Sequence, residues 1–324
     1  MQPSKLAPLA LLGYILLRGC DASVLKWLQE RGAATLLRTD GAVDPIGFSN
    51  VFFYSNLATG LVILLLDQKR LRHQLPQLAP KDQSILCLRA FLGGLVGPIC
   101  YFQALKTLSV SSQTLLFTLI LPATALLAKL ILQEPLPRRF GLSFALLPAG
   151  LLISHGIHWS SATGPSGHDL NLGGMSWSLV SVLAFSVSGV LNRVTADKNW
   201  GTGLTVGLTN LLVAAVFGAV TLIAFGPEQF LYMRWWWLFG FLLIYTACIS
   251  LGGEILLLAS YRGLGAITAA LWGNAVILVA LVSANIVLSE PLNLQTLLGA
   301  AVISGALLMT AGTPKSKADS IQRT

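Results

Sequence analysis

The chain has 324 residues, of which 54% are hydrophobic and only 10% charged, with a formal net charge of +8 and a mean hydropathy of +0.73. Soluble domains carry roughly 25% charged residues, so a water-soluble enzyme or binding module is excluded. The positive charge does not describe a nucleic-acid surface either, because Lys and Arg are scattered through short links between apolar runs and form no basic stripe with interleaved aromatics.

Since about 20 apolar residues cross the hydrocarbon of a bilayer, the runs predict ten spans in chain order: about 6–28, 45–66, 84–105, 109–132, 138–157, 173–195, 203–225, 235–260, 265–288 and 294–312. The first run is interrupted by Arg18 and Asp21 and no small-residue cleavage site follows it, so it reads as a retained helix and not a signal peptide. The links are short except 29–44, 67–83 and the Gly/Ser-rich 158–172. Five spans fall on either side of that last link. The expected organisation is a first five-helix repeat over 1–157, a linker over 158–172, a second five-helix repeat over 173–312 and a cytoplasmic tail over 313–324.

The fourth and ninth spans carry the evidence for duplication. Leu132-Gln133-Glu134-Pro135-Leu136 recurs as Leu288-Ser289-Glu290-Pro291-Leu292, 156 positions later, and at that offset Lys106 falls on Arg262, Leu115 on Leu271 and Ala128 on Ala284. Five Glu and 14 Pro predict only about 0.2 Glu-Pro dipeptides by chance. Five spans is an odd number, so the second half starts from the opposite side of the membrane and the repeats are inverted. With the N-terminus inside, thirteen basic residues lie in inner segments, against Arg31, Arg38, Lys106 and Arg234 outside. Both termini are therefore expected in the cytoplasm. Tyr232 and Trp235-Trp236-Trp237 suit an outer interfacial belt.

Ionisable groups within spans are costly, about 3 kcal/mol near the centre, which makes each a functional candidate. Arg18 and Asp21 are three apart on one helical face and can neutralise each other. Lys26 and Arg193 lie near the ends of the first helix of each half, where snorkelling to an interface is the alternative to a function. Glu254, in Gly252-Gly253-Glu254, has no basic residue three or four positions away; it is the candidate for cation or proton handling, against a structural pairing with Arg18 or another basic group. Gln113, Thr114 and Thr118 share a face of the fourth span, and Trp272, Asn274 and Asn285 decorate the ninth, groups suited to orienting a polar solute or to bridging helices. Tyr101, Gln103 and Tyr261 are weaker candidates of the same kind.

Other features read as structural. Glu134-Pro135 and Glu290-Pro291 end one helix and start the next, with the carboxylate facing the next helix's positive end and Arg138 able to pair with Glu134. Gly93-x-x-x-Gly97 and Gly203-x-x-x-Gly207 allow close helix approach. The four cysteines have no metal spacing and read as small apolar fillers; His155, His158, His168 and Asp169 fit no zinc pattern; no phosphate loop or nucleophile motif occurs, so neither a metal, a cofactor nor enzymatic chemistry is expected.

Ten spans in two repeats, each closing its fourth helix with Glu-Pro before a Gly-containing fifth helix (Gly141 and Gly150; Gly299 and Gly305), resemble the EamA family of the drug/metabolite transporter superfamily over about residues 6–312. The resemblance implies an all-α polytopic protein whose first four helices in each repeat surround a central cavity, the fifth helices packing peripherally, and which exports or exchanges a small metabolite by alternating access. It puts Asp21, Gln113, Thr114, Arg193, Glu254, Trp272 and Asn274 near that cavity, with Glu254 or Asp21 as the proton-coupling residue. Asp21 and Glu254 are not signature positions of the family, so the substrate is not inherited. The expected partners are a metabolite and the bilayer, in a plasma membrane, bacterial by default; a homodimer is left open. A receptor or scaffold without transport, or a membrane-embedded enzyme, are the rival readings.

Overall fold

Apolar runs without polar periodicity satisfy every backbone group internally by forming helices, the arrangement a bilayer requires. The computed structural model describes residues 6–38, 48–133, 136, 139–155, 171–198, 200–227, 230, 245–264 and 272–311. Among them, the helices are α1 (Ala7–Arg38), α2 (Phe48–Leu66), the short α3 (Gln68–Gln74), α4 (Pro80–Thr107), α5 (Val110–Leu132), α6 (Phe140–His155), α7 (Leu172–Asp197), α8 (Gly203–Phe225), α9 (Gly253–Leu264), α10 (Ala275–Leu288) and α11 (Leu294–Ala311). Six of these helices are long and apolar enough to cross a membrane, α1, α2, α4, α5, α7 and α8, and Phe140–Ser154, Ala275–Leu288 and Leu294–Met309 are shorter apolar helices. The protein is an all-helical polytopic membrane protein. Leu65, Leu66, Leu130, Ile223 and Ile286 stand out on its surface, each more than two-thirds exposed, as side chains facing lipid do.

Two expected links are corrected. The first span does not end near 28: α1 runs on to Arg38, held by the Gln29 amide donating to the Phe102 carbonyl (2.9 Å) and by Arg31 over the Trp27 ring. The link 67–83 contains α3 and a 3₁₀ turn, Leu75–Gln77. The interfacial Tyr232 and Trp235–Trp237, residues 156–170, with His158, His168 and Asp169, and the residues from 312 on lie outside the described residues.

The 156-residue offset reappears in the backbone. A π-helical stretch occupies Ala90–Val96 inside α4, and another occupies Thr246–Gly252 directly before α9. In α5 and in α10 the hydrogen-bond ladder slips at matched places: Leu121 N–H bonds to Thr118 C=O (3.3 Å), and Ile277 N–H bonds to Asn274 C=O (3.1 Å). Pro122, which has no N–H, accounts for the slip in α5. The second copy has Leu278 there and slips all the same. Both helices then end on a left-handed residue, Gln133 (φ 55°, ψ 30°) and Ser289 (φ 55°, ψ 29°), whose N–H groups bond back to Ala128 and Ala284. This left-handed end satisfies orphan carbonyls.

Packing is reciprocal. α1 packs on α9 and α10, while α7 packs on α4 and α5; α2 packs on α8, and α6 on α11. Small residues permit the close crossings, as Gly93 and Gly97 of α4 face Ser188 and Phe185 of α7. In the α6–α11 crossing, an atom at the Cβ position of Gly299 would lie 2.5 Å from the Gly150 carbonyl oxygen. The buried apolar core is correspondingly shared: Leu25 and Leu28 of α1, Phe102 and Leu105 of α4 and Ala284 of α10 form one cluster. Leu115, Leu147, Ile277 and Ile303 anchor a second across α5, α6, α10 and α11.

Candidate functional site

Arg18 and Asp21 lie halfway along the apolar length of α1. Arg18 Nη1 donates to Asp21 Oδ2 at 2.7 Å, the pairing their three-residue spacing predicts. The other carboxylate oxygen, Oδ1, accepts from the Tyr245 hydroxyl at 2.6 Å, which ties α1 to the stretch leading into α9. Tyr14 and Tyr101 lie within electrostatic reach of the pair. Arg18 keeps 48% of its side chain accessible and Asp21 20%. Rings continue from there: Tyr101 meets Phe117 edge-on at 5.0 Å, and Phe117 meets Phe185 at 5.5 Å. A charge pair, phenol groups and aromatic faces together can orient a small polar or amphipathic solute.

Gln113 stands on the first part of α5, ahead of the slip at Thr118. Its side chain is fully buried and neither amide atom has a hydrogen-bond partner among the described residues, a costly arrangement for a group able to make several. Thr118 is not a free polar group, because its hydroxyl donates to the Leu115 carbonyl at 2.6 Å. Thr114 is half-buried, Asn274 is half-buried at the start of α10, and Trp272 is 65% exposed. Arg193 is exposed near the end of α7. The Glu254 backbone opens α9 directly after the π stretch; its side chain, like those of Tyr261 and His155, lies outside the described residues. No metal-holding group of His, Cys, Asp and Glu occurs among the described residues.

Lys26 neither snorkels nor stands alone. Its ammonium donates to the Leu108 carbonyl (2.7 Å) and to Glu290 Oε1 (3.3 Å). Glu290 also corrects the reading of the Glu-Pro motif: its carboxylate does not cap α11, the helix that follows it, but α5 of the other half. It accepts from the Val110 N–H (2.7 Å), the Ser111 N–H (3.2 Å) and the Ser111 hydroxyl (3.1 Å). A helix start offers unbonded N–H groups and partial positive charge, which a carboxylate satisfies wherever it comes from in the chain. Glu134, Pro135 and Arg138 lie outside the described residues. At the far end of the bundle, Asp67 Oδ2 accepts the Gly203 N–H at the start of α8 (2.7 Å), Gln74 accepts the Gly201 N–H (2.7 Å), and Lys198 pairs with Asp82. Both ends of the bundle are thus crossed by polar contacts between first-half and second-half residues.

Sequence reasoning missed Arg89, although it lies inside the third span and the rule for ionisable residues in spans would have found it. It immediately precedes the π stretch of α4, as Tyr245 precedes the other, 156 positions on. Tyr245 reaches Asp21 on α1, and Arg89 Nε donates to Asn192 Oδ1 on α7.

These features describe an all-helical polytopic membrane protein with a polar cluster around Asp21 that joins α1 to the stretch before α9. Residues 33–155 match the EamA-like transporter family. An uncharacterized transporter of Synechocystis sp. (strain ATCC 27184 / PCC 6803 / Kazusa) is 27% identical over 281 residues, covering 85% of this chain and 79% of the relative. One solved crystal structure superposes with a TM-score of 0.48 at 19% identity, covering 91% of this chain and 95% of the other.

Proposed function

We propose that the protein is a secondary transporter of ten spans in two inverted five-helix halves, over 1–157 and 173–312, which moves a small polar or amphipathic metabolite outward or in exchange by alternating access. The observation that carries this reading is the accessible Arg18–Asp21 pair at mid-span, held across the halves by Tyr245. Inversion is supported by Glu290, which sits after the end of α10 and caps the start of α5, its own counterpart in the other half. The central site joins Arg18, Asp21, Tyr101 and Tyr245 to Gln113, Thr114, Trp272 and Asn274, with Arg193 on the path and Asp21 or Glu254 carrying the coupled proton. The setting is a bacterial plasma membrane with both termini inside.

The purified protein is screened by thermal shift against amino acids, nucleotides, sugar phosphates and cationic drugs at two pH values, and hits are tested for counterflow in proteoliposomes. A ligand at a hundredfold excess over its dissociation constant stabilises the folded state by about 2.7 kcal/mol. The expected result is a hit whose stabilisation and counterflow are both lost in Asp21→Asn. Flux unchanged at every pH in Asp21→Asn and in Glu254→Gln refutes the site and the coupling.

A further inference from the structure

α3 begins where the lipid-facing surface of α2 stops. Leu65 and Leu66, 73% and 77% exposed, close α2, and at Asp67 (φ −112°, ψ 22°) the chain leaves the helical path before α3 starts at Gln68. A chain that turns directly after exposed leucines lies at the edge of the hydrocarbon, where side chains meet lipid headgroups. Seven residues do not hold a helix by themselves. The bundle holds this one: α3 packs on the start of α8, with Leu71 and Gln74, three apart, half-buried on its inner face. Gln74 accepts the Gly201 N–H (2.7 Å), and the Arg70 methylenes lie against Gly201.

The outer face of α3 is basic. Lys69, Arg72 and His73, at spacings of three and four, are all exposed. Lys81, also exposed, stands at the start of α4 beside Asp82, whose pairing with Lys198 brings it to the same end of the bundle. The carboxylates described here are engaged elsewhere: Asp67 Oδ2 accepts the Gly203 N–H (2.7 Å) and the Thr202 hydroxyl (3.2 Å), and Asp82 is taken by Lys198. Neither neutralises the Lys69–Arg72 face.

Basic residues clustered directly after a spanning helix attract the phosphates of an anionic bilayer surface, each Lys or Arg adding to the attraction. We propose that the basic face of α3, together with Lys81, binds the headgroups of anionic phospholipids in the leaflet at this end of the bundle. Charge and place together select that occupant, because these cations adjoin the lipid-exposed Leu65 and Leu66 and so meet headgroups before any soluble anion. The inference rests on the membrane embedding of the helices and not on the transport reading. Bound lipid also acts on the fold: Asp67 and Gln74, at the two ends of α3, accept the N–H groups of Gly203 and Gly201, so pinning α3 steadies the start of α8 against α2.

The full-length protein in detergent is titrated with phosphatidylglycerol and with phosphatidylcholine; bound lipids are counted by native mass spectrometry and the melting temperature is followed in parallel. Phosphatidylglycerol should bind and raise the melting temperature where phosphatidylcholine does not. Its affinity should fall about fivefold for each charge removed in Lys69→Gln, Arg72→Gln and Lys81→Gln, and hold in Lys69→Arg and Arg72→Lys. Lys106→Gln, exposed at the opposite end of the bundle, should leave it unchanged. Asp67→Ala should keep the lipid bound and shrink the rise in melting temperature; a full rise there overturns the link to α8. Equal affinity for the two lipids, equal losses in Lys106→Gln and the α3 variants, or displacement of phosphatidylglycerol by inorganic phosphate at equal concentration, which would mark a soluble-anion site, each overturns the proposal.

Discussion

Glu290 offers the sharpest test of how the halves are joined, because one carboxylate serves two backbone N–H groups, one hydroxyl and one ammonium. Both members of the ion pair are largely shielded, with Lys26 and Glu290 side chains 18% and 13% accessible. Losing a helix-capping acceptor costs about 0.5–2 kcal/mol. Stranding a shielded ammonium that keeps only a carbonyl partner costs about 1–3 kcal/mol more. Glu290→Ala should therefore destabilise the protein by about 3 kcal/mol. Lys26→Met should cost less, about 1–2 kcal/mol, because the carboxylate retains three donors. Glu290→Gln, which keeps one acceptor oxygen, should fall between them. Reversible chemical unfolding in mixed micelles gives the order directly, and labelling of a Ser111→Cys reporter by a membrane-impermeant maleimide should quicken when Glu290 is replaced. Glu290→Ala within about 0.5 kcal/mol of wild type, the scatter of an ordinary surface change, would refute the clasp. So would Lys26→Met proving the costlier substitution.

The remaining predictions test packing, backbone strain and the buried amide. Gly299→Ala forces a methyl against the Gly150 carbonyl, whose backbone cannot step aside, and should cost about 1–3 kcal/mol in thermal unfolding; Gly305→Ala, with nothing within 4 Å, is the neutral control, and equal melting of the two variants refutes the crossing. Ser289→Gly relieves a left-handed residue and should stabilise by about 0.5–1 kcal/mol, as should Gln133→Gly at the matched position; a loss of stability in both would contradict the shared helix end. Gln113→Leu removes an unpartnered buried amide, so it should raise stability by about 1 kcal/mol while lowering substrate binding; destabilisation with intact binding would assign the amide to the fold.

Much of the architecture is legible in the residues. Helix positions follow from the apolar runs because a bilayer allows little besides helices, and the duplicated Leu-x-Glu-Pro-Leu already marks the offset at which the π stretches, ladder slips and left-handed ends recur. Arg18 and Asp21 are paired by local spacing alone. The rest is not local. Nothing in the sequence around Glu290 indicates that it caps a helix starting 180 positions earlier, since the same carboxylate could cap the helix that follows it.

The sequence by itself determined that this protein lives in a membrane as a set of apolar helices, because hydropathy is a property of the chain read in order. The tertiary structure decided which polar groups meet. Tyr245 reaches Asp21 across 224 positions and Arg89 reaches Asn192 across 103, through helix faces brought together by small residues such as Gly93 and Gly97. In lipid the hydrophobic effect does not choose between apolar faces, so the choice falls to close packing and to the few hydrogen bonds it permits, and these exist only once the helices are assembled.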